Sequence, residues 1–236
     1  MSARLVAWNV RHCCGLDLRV MPGRIVDLIA GLSPDVVALS ELDVDHVRSQ
    51  RLDQPAWIAA RLAMRVVFAE TLDGYGHALF SRFPLASAEV VSLAHTPLTE
   101  PRMAIDVVLD APPRALRVVA THLGLTRTDR AMQAGEIVAR VRPSATPVAV
   151  IGDLNAGPGE VGYEELVAAS FADPFASRRV GARCTWPSPF AFRALDHVLL
   201  GPELSARHAA VLKQGPARFA SDHRPVVVDV ERHIDC

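Results

Sequence analysis

Four apolar runs in this sequence end at side chains that ligate cations or carry protons. Leu5-Val6-Ala7-Trp8 stops at Asn9, Val36-Val37-Ala38-Leu39-Ser40 at Glu41, Val118-Val119-Ala120-Thr121 at His122, and Val148-Ala149-Val150-Ile151-Gly152 at Asp153, with Asn155 close behind. Two other runs carry the polar group at their start: Asp196 precedes His197-Val198-Leu199-Leu200, and Asp222-His223 precede Pro225-Val226-Val227-Val228. If these runs are strands and oppositely directed strands lie side by side, both kinds of end share one rim. Glu41, Asp153, Asp196 and Asp222 then crowd together, and like charges at such range need a cation to stay ionised at neutral pH. Carboxylate and amide oxygens suit Mg²⁺ or Mn²⁺, whereas no cysteine or histidine spacing suggests a zinc cage. Mg²⁺ ordinarily enters through one or two carboxylates plus substrate phosphate, so the pattern points to phosphoryl chemistry.

The elements that must position these residues are mostly strands. Val- and Leu-rich segments bounded by turn residues predict strands over 4–8, 36–40, 65–69, 77–81, 88–92, 103–109, 116–121, 148–152, 197–200, 209–212 and 225–230. Ile25, Leu28, Ile29 and Leu32 fall on one helical face and predict a helix over 24–32, with a second around 54–62. Thr126 followed by Asp129 is a variant capping box ahead of Ala131, Ala134, Val138 and Val141. It predicts a third helix ending near Arg142, before Pro143. A short fourth helix is expected over 163–169. Many short strands with few helices imply an α+β sandwich, sheet packed on sheet.

Composition narrows the function classes. The 236 residues include 25 Lys+Arg against 26 Asp+Glu, a net charge of -1, which excludes a strongly basic nucleic-acid coat. Half of the chain is hydrophobic and 22% charged, a globular and not a disordered composition. No run approaches the roughly 20 apolar residues that cross a bilayer, and the first residues lack the apolar stretch of a secretory signal. A soluble, cytoplasmic chain without integral membrane association is expected. Cys13, Cys14, Cys184 and Cys236 show no metal-binding spacing and read as free thiols in a reducing compartment. No repeat or low-complexity linker divides the chain, so one domain over 1–236 is expected, with no obligate protein partner evident.

Taken singly, each polar site has a plain structural explanation. A strand-end Asp or Asn is ordinarily a turn residue, Asn9 reads as a satisfied core amide, and Glu41 as the first solvent residue after a strand. Their joint order decides otherwise. Trp8-Asn9, Ser40-Glu41, Thr121-His122, Gly152-Asp153-Leu154-Asn155, Leu195-Asp196-His197 and Ser221-Asp222-His223 occur in sequence over Leu5 to Val230. With them come Leu79-Phe80-Ser81-Arg82-Phe83-Pro84-Leu85, Glu100-Pro101-Arg102 and Thr185-Trp186-Pro187-Ser188. This set resembles the endonuclease/exonuclease/phosphatase superfamily, the DNase I-like metal-dependent phosphoesterases, in a compact bacterial form.

The resemblance implies a four-layer α/β sandwich, two mostly antiparallel sheets face to face with helices outside. It implies a metal held chiefly by Glu41, assisted by Asn9 and Asp222. Asp153 or His223 then activates the attacking water, and Asp196 holds the His223 imidazole in one tautomer. Asn155 and His122 are expected to donate hydrogen bonds to phosphate oxygens, with protonation of the leaving oxygen as a second possibility for His122. Arg102 is a weaker candidate for a phosphate contact or a salt bridge. His12 and His77 stand where family members carry other polar residues.

Substrate is less determined than reaction, because the loops and not the fold set it. A nuclease advertises a basic footprint, and here only Arg178, Arg179 and Arg183 cluster. The loop Trp186-Pro187-Ser188-Pro189-Phe190-Ala191-Phe192, just ahead of Asp196, is expected to seal the sandwich, to cap a hydrophobic pocket, or to touch a base or acyl chain. The expected activity is hydrolysis of a phosphodiester or phosphomonoester, with a small or lipid-like ester favoured. A DNA or RNA nuclease is the first alternative, and a silent binder of a phosphorylated partner the second.

Overall fold

The computed structural model describes residues 2–142 and 144–232, so Pro143, His233 and Cys236 lie outside the described residues. The elements run β1 (Ser2–Asn9), α1 (Pro22–Leu32), β2 (Val36–Asp43), α2 (Gln54–Leu62), β3 (Arg65–Leu72), β4 (Tyr75–Ser81), β5 (Leu85–Leu93), β6 (Arg102–Leu109), β7 (Leu116–His122), α3 (Arg127–Val141), β8 (Val148–Asp153), α4 (Tyr163–Ala168), β9 (Asp196–Leu200), β10 (Leu204–Val211) and β11 (Val226–Arg232). Every expected strand and helix is present, and most are longer than apolar content suggests. β10 is the largest extension, and it is an edge strand whose residues 206–208 face solvent, so its sequence carries little apolar alternation. α1 starts two residues before the expected Arg24 because Pro22 occupies its first turn, where a missing N–H costs nothing. Thr126 caps α3 by accepting from the Asp129 backbone N–H at 3.1 Å. No helix among the described residues is long and apolar enough to cross a membrane.

A six-stranded sheet is ordered β10-β11-β1-β2-β4-β3 and a five-stranded sheet β5-β6-β7-β8-β9. Each sheet is antiparallel but for one pair: β1 with β2 in the first, β7 with β8 in the second. Those two parallel pairs hold all four of the runs that end in ligand-type side chains. Parallel direction therefore brings Asn9 beside Ser40 and His122 beside Asp153, while antiparallel β9 sets Asp196 directly opposite Asp153.

The alternation of the strands builds three apolar layers. Leu5, Ala7, Val36, Ala38, Val118, Ala120, Ala149, Ile151, Val198, Val226 and Val228 pack between the sheets. The opposite faces bury Val6, Trp8, Val37 and Leu39 under α1 and α2, and Val119, Val150 and Leu199 under α3 and α4. Each fully buried aliphatic side chain contributes about 1.5–3 kcal/mol. Because side chains repeat every second residue, the inward stripe 5-7 continues to Asn9, 118-120 to His122, 149-151 to Asp153, and 200-198 back to Asp196. The functional rim is the place where the inter-sheet core turns polar.

Gly152 is required at this rim. Its φ of +135° is unfavourable for any side chain, and a Cβ there would lie 2.0 Å from the Thr121 carbonyl oxygen on β7. Gly152→Ala is therefore expected to force β7 and β8 apart. Thermal unfolding should show a loss of about 3 kcal/mol or more, at the upper end for single substitutions. An unchanged melting temperature would contradict the close approach of the two strands.

Candidate active site

Asn9 is the hub of the rim. It is 1% exposed, and its Nδ2 donates to Glu41 Oε1 at 2.8 Å and to Asp153 Oδ2 at 2.9 Å, while its backbone N–H donates to Asp196 Oδ1 at 2.9 Å. One residue of the first sheet thus holds two carboxylates of the second and one of its own. Its Oδ1 accepts from the Arg11 backbone N–H at 3.0 Å and so faces away from the carboxylates. The amide orients Glu41 and Asp153; it does not present its oxygen beside Glu41.

Glu41 owes its position to a break in the ladder. Between β2 and β4 the register shifts from Ser40 with His77 to Leu42 with Gly76, leaving Glu41 unpaired at φ 61°. Such a left-handed, non-glycine residue costs about 1–3 kcal/mol and occurs preferentially at functional sites. The sequence reading placed Glu41 after the end of its strand. It is instead a bulge inside a strand that continues to Asp43, a feature with no signature in residue type.

His223 stands just ahead of β11, and its Nδ1 bonds Asp196 Oδ2 at 2.7 Å. Asp153 Oδ2 lies 3.9 Å from the same nitrogen. Burial works against a charge on this imidazole. Asp196, by charge and hydrogen bond, together with Asp153 and Asp222, outweighs burial and pushes it up to about 10. The loop is fixed by Ser221, whose hydroxyl donates to the Asn9 carbonyl at 2.8 Å and accepts the His223 N–H at 3.2 Å, and by Trp8 Nε1 donating to the His223 carbonyl at 3.0 Å. Thr185 Oγ1 accepts from the backbone of Leu195 and Asp196 at 3.1 and 3.2 Å. Ser221 and Thr185 belonged to recognised motifs but had no expected role; small hydroxyls carry no signal of their own until their neighbours are known.

The carboxylates are under strain. Burial is the main influence raising Glu41, opposed by the Asn9 amide and reinforced by Asp153 and Asp222. Burial likewise raises Asp153, with His223 and the Asn9 and Asn155 bonds opposing and Asp196 reinforcing. Asp153, Asp196 and His223 have ligand atoms within 4.8 Å of one another, yet these atoms are already engaged. Asp196 spends both oxygens on Asn9 and His223, and Asp153 spends its own on Asn9 and on the Asn155 N–H at 2.9 Å. Glu41 Oε2 and Asp222 Oδ2 accept no hydrogen bond among the described residues. Surplus negative charge with unengaged hard oxygens at a half-buried edge fits Mg²⁺ or Mn²⁺, and the fit favours Glu41 and Asp222 over the buried trio.

On the second sheet, His122 Nε2 lies 3.6 Å from Asp153 Oδ2 and its Nδ1 lies 3.2 Å from Arg102 Nη1. Burial, then Arg102, His77 and His223, hold His122 well below the usual histidine range. Arg102 is 3% exposed and also donates from Nη1 to Glu100 at 3.0 Å. Of the two expectations for Arg102, a phosphate contact or a salt bridge, the structure shows the ion pair with Glu100 beside the buried His122. Asn155 donates one amide hydrogen to the Leu123 carbonyl at 2.8 Å, leaving the other available. His77 is buried between the sheets. Neither ring nitrogen has a partner of ordinary hydrogen-bond geometry, and burial pushes it down to about 4, with the nearby Ala120 carbonyl opposing. His12, by contrast, lines a groove of about 380 Å³ beside Glu41, with Arg11, His46, Arg48, Tyr75 and Glu100. A larger cavity of about 490 Å³ lies at the other end of β1, around Arg4, Asp35 and Asp229, away from this chemistry.

A family model described as the Endonuclease/Exonuclease/phosphatase family matches residues 6–223. The chain belongs to the endonuclease/exonuclease/phosphatase family. It is similar to an endonuclease/exonuclease/phosphatase from Beutenbergia cavernae, with 25% identity, a TM-score of 0.82, and coverage of 98% of this chain and 72% of that one. The human Nocturnin catalytic domain with bound sulfate is 21% identical at a TM-score of 0.79, covering 98% and 94%. A mannosyl-6-phosphatase from Bacteroides thetaiotaomicron is 16% identical at 0.80, covering 97% and 99%. Among curated proteins compared by sequence, none matches. The DNase I-like fold and the family resemblance are thereby established.

In this family member the loop ahead of Asp196 does not close the sandwich. Phe190 is 77% and Phe192 68% exposed. Trp186 lies edge-on to Phe192 at 6.2 Å, and its ring centre is 6.4 Å from that of His223. Arg218 lies over the rings of Phe190 and Phe219 at 5.6 and 5.5 Å. Ser188 ties the loop to the rim by donating its N–H to the Asp222 carbonyl at 2.7 Å.

A histidine raised to about 10 by its partners contributes stability that is complete below its unfolded value near 6.5 and is lost as pH rises through 10. Metal-free protein should therefore lose thermal stability between pH 7 and 10, and Asp196→Asn should flatten that limb. Parallel pH dependences in the two proteins would contradict the ion pair.

Proposed function

We propose that this chain is a Mg²⁺- or Mn²⁺-dependent phosphoesterase that hydrolyses a small phosphodiester bearing an apolar or ring-containing group. The supporting observation is the convergence on Asn9 of Glu41, Asp153 and the Asp196–His223 couple, contributed by four strands and the loop before β11. No purely structural need accounts for burying so many acids at one edge.

A divalent ion held by Glu41 and Asp222 supplies Lewis-acid neutralisation of charge on phosphate oxygen. Asp153, raised by burial, orients the attacking water and accepts its proton opposite the leaving group. His223, with Nδ1 given to Asp196, offers Nε2–H to a non-bridging oxygen. Asn155 offers its second amide hydrogen to the same group. Preorganised donors of this kind each contribute about 10²–10³ in rate.

Three observations support a small ester over long duplex DNA. The net charge is -1. The small basic cluster is partly engaged, with Arg178 over the Phe175 ring and Arg183 3.6 Å from Asp173, while Arg178 and Arg179 are exposed. Trp186, with Phe192 edge-on to it, lies beside His223.

Asp153→Asn should lower kcat by about 10²–10⁴ with the fold retained by circular dichroism, on a panel of bis-aryl phosphodiester, monoester, phospholipid, single-stranded RNA and plasmid. Plasmid cleavage at low enzyme would reverse the substrate preference, and failure on the whole panel would favour a silent binder. Glu41→Gln removes a buried charge, so in chelator it should melt roughly 2–4 °C higher. It should also lose the stabilisation that Mg²⁺ or Mn²⁺ gives the wild type in a thermal shift titration. An equal metal response would remove Glu41 from the metal site.

A further inference from the structure

We infer that Arg102 fixes His122 as the neutral tautomer with its proton on Nε2, so that His122 serves as a hydrogen-bond donor to phosphate and not as the acid for the leaving group. The inference rests on the phosphoesterase reading of the site.

A guanidinium is always protonated and has no acceptor, so a nitrogen it touches must offer a lone pair. Arg102 Nη1 is 3.2 Å from His122 Nδ1. Its second hydrogen is spent on Glu100 Oε1 at 3.0 Å, so Nη1 points one hydrogen at each partner. His122 Nδ1 is then the acceptor, and the single proton of a neutral ring sits on Nε2. A second proton, on Nδ1, would aim an N–H at a buried cation. Among the described residues no carboxylate bonds Nδ1 of this ring: Glu100 is held by Arg102, and His77 on β4 is a further buried imidazole whose ring nitrogens have no partner of ordinary hydrogen-bond geometry. His122 thus differs from His223, whose Nδ1 meets Asp196. The two imidazoles at one rim have opposite supports, a cation behind one and an anion behind the other.

Nε2 of His122 faces the rim, 3.6 Å from Asp153 Oδ2. From there it can donate to a phosphoryl oxygen. It cannot give that proton away, because the product would be an imidazolate beside a carboxylate. The proton that Asp153 takes from the attacking water therefore reaches the leaving oxygen through solvent, which balances the hydrolysis without His122 changing charge. Arg102, buried against His122 and Glu100, is a positioning residue.

The test has two arms. In protein with ¹⁵N-labelled histidine, long-range ¹H–¹⁵N correlation, assigned by the loss of signals in His122→Gln, should show His122 with bare Nδ1 and protonated Nε2. Arg102→Met should give a mixture of tautomers and Arg102→Lys should restore the single form. This arm needs no turnover, so it decides the tautomer even if the hydrolytic reading fails. Protonated Nδ1 in the wild type would overturn the inference. In the kinetic arm, aryl phosphodiesters of graded leaving-group acidity are compared. His122→Gln should lose the same factor, about 10²-fold, with every ester, whereas a loss that grows with leaving-group basicity would make His122 the acid. Arg102→Met should lower kcat and leave KM within about twofold. Raised KM at unchanged kcat would make Arg102 a substrate contact and overturn its positioning role.

Discussion

One carboxamide joins the two sheets where their inward faces turn polar. Asn9 reaches Glu41 on its own sheet and Asp153 on the other with the same nitrogen, and its backbone holds Asp196. Without it, acids on opposing sheets would face each other across a dry gap, and mutual repulsion would either separate the strands or protonate the acids. The amide is suited to this place because it donates to carboxylates without adding charge. It keeps them close while leaving the negative surplus that invites a cation.

The arrangement is costly, and the surrounding structure opposes the cost with rigidity. Glu41 sits on a bulge at φ 61°, between ladder positions that are themselves fully paired. Gly152 admits a strand contact that no side chain would allow. Thr185 and Ser221 satisfy backbone groups beneath Asp196 and His223. Each device spends local stability on a fixed position, the usual trade at a reaction centre. The apolar layers on both faces of each sheet supply the surplus.

Much of this was legible from residue order alone. Strands could be placed because buried β-segments concentrate Val, Leu and Ala, and the rim could be located because polar side chains interrupt those runs at consistent ends. What escaped was directional. Composition does not tell a parallel neighbour from an antiparallel one, so the two parallel pairs that align Asn9 with Ser40 and His122 with Asp153 were not foreseen. The Glu41 bulge carries no special residue type. Arg102 was left between a phosphate contact and a salt bridge, and only the fold reveals its ion pair with Glu100 and its contact with His122. The aromatic loop allowed several readings, and exposure of Phe190 and Phe192 argues against sealing of the sandwich.

The pairing of β1 with β11 has a consequence for biosynthesis. Trp8 and His223 are 215 residues apart and hydrogen-bonded, so the first strand stays without its outer neighbour until more than 215 further residues have been made. At about 5–20 residues per second, roughly ten to forty seconds separate the two events on the ribosome. Throughout that interval Asp196 lacks its imidazole and Asn9 lacks the Ser221 hydroxyl on its carbonyl. The rim is therefore incomplete until residue 223 has been made.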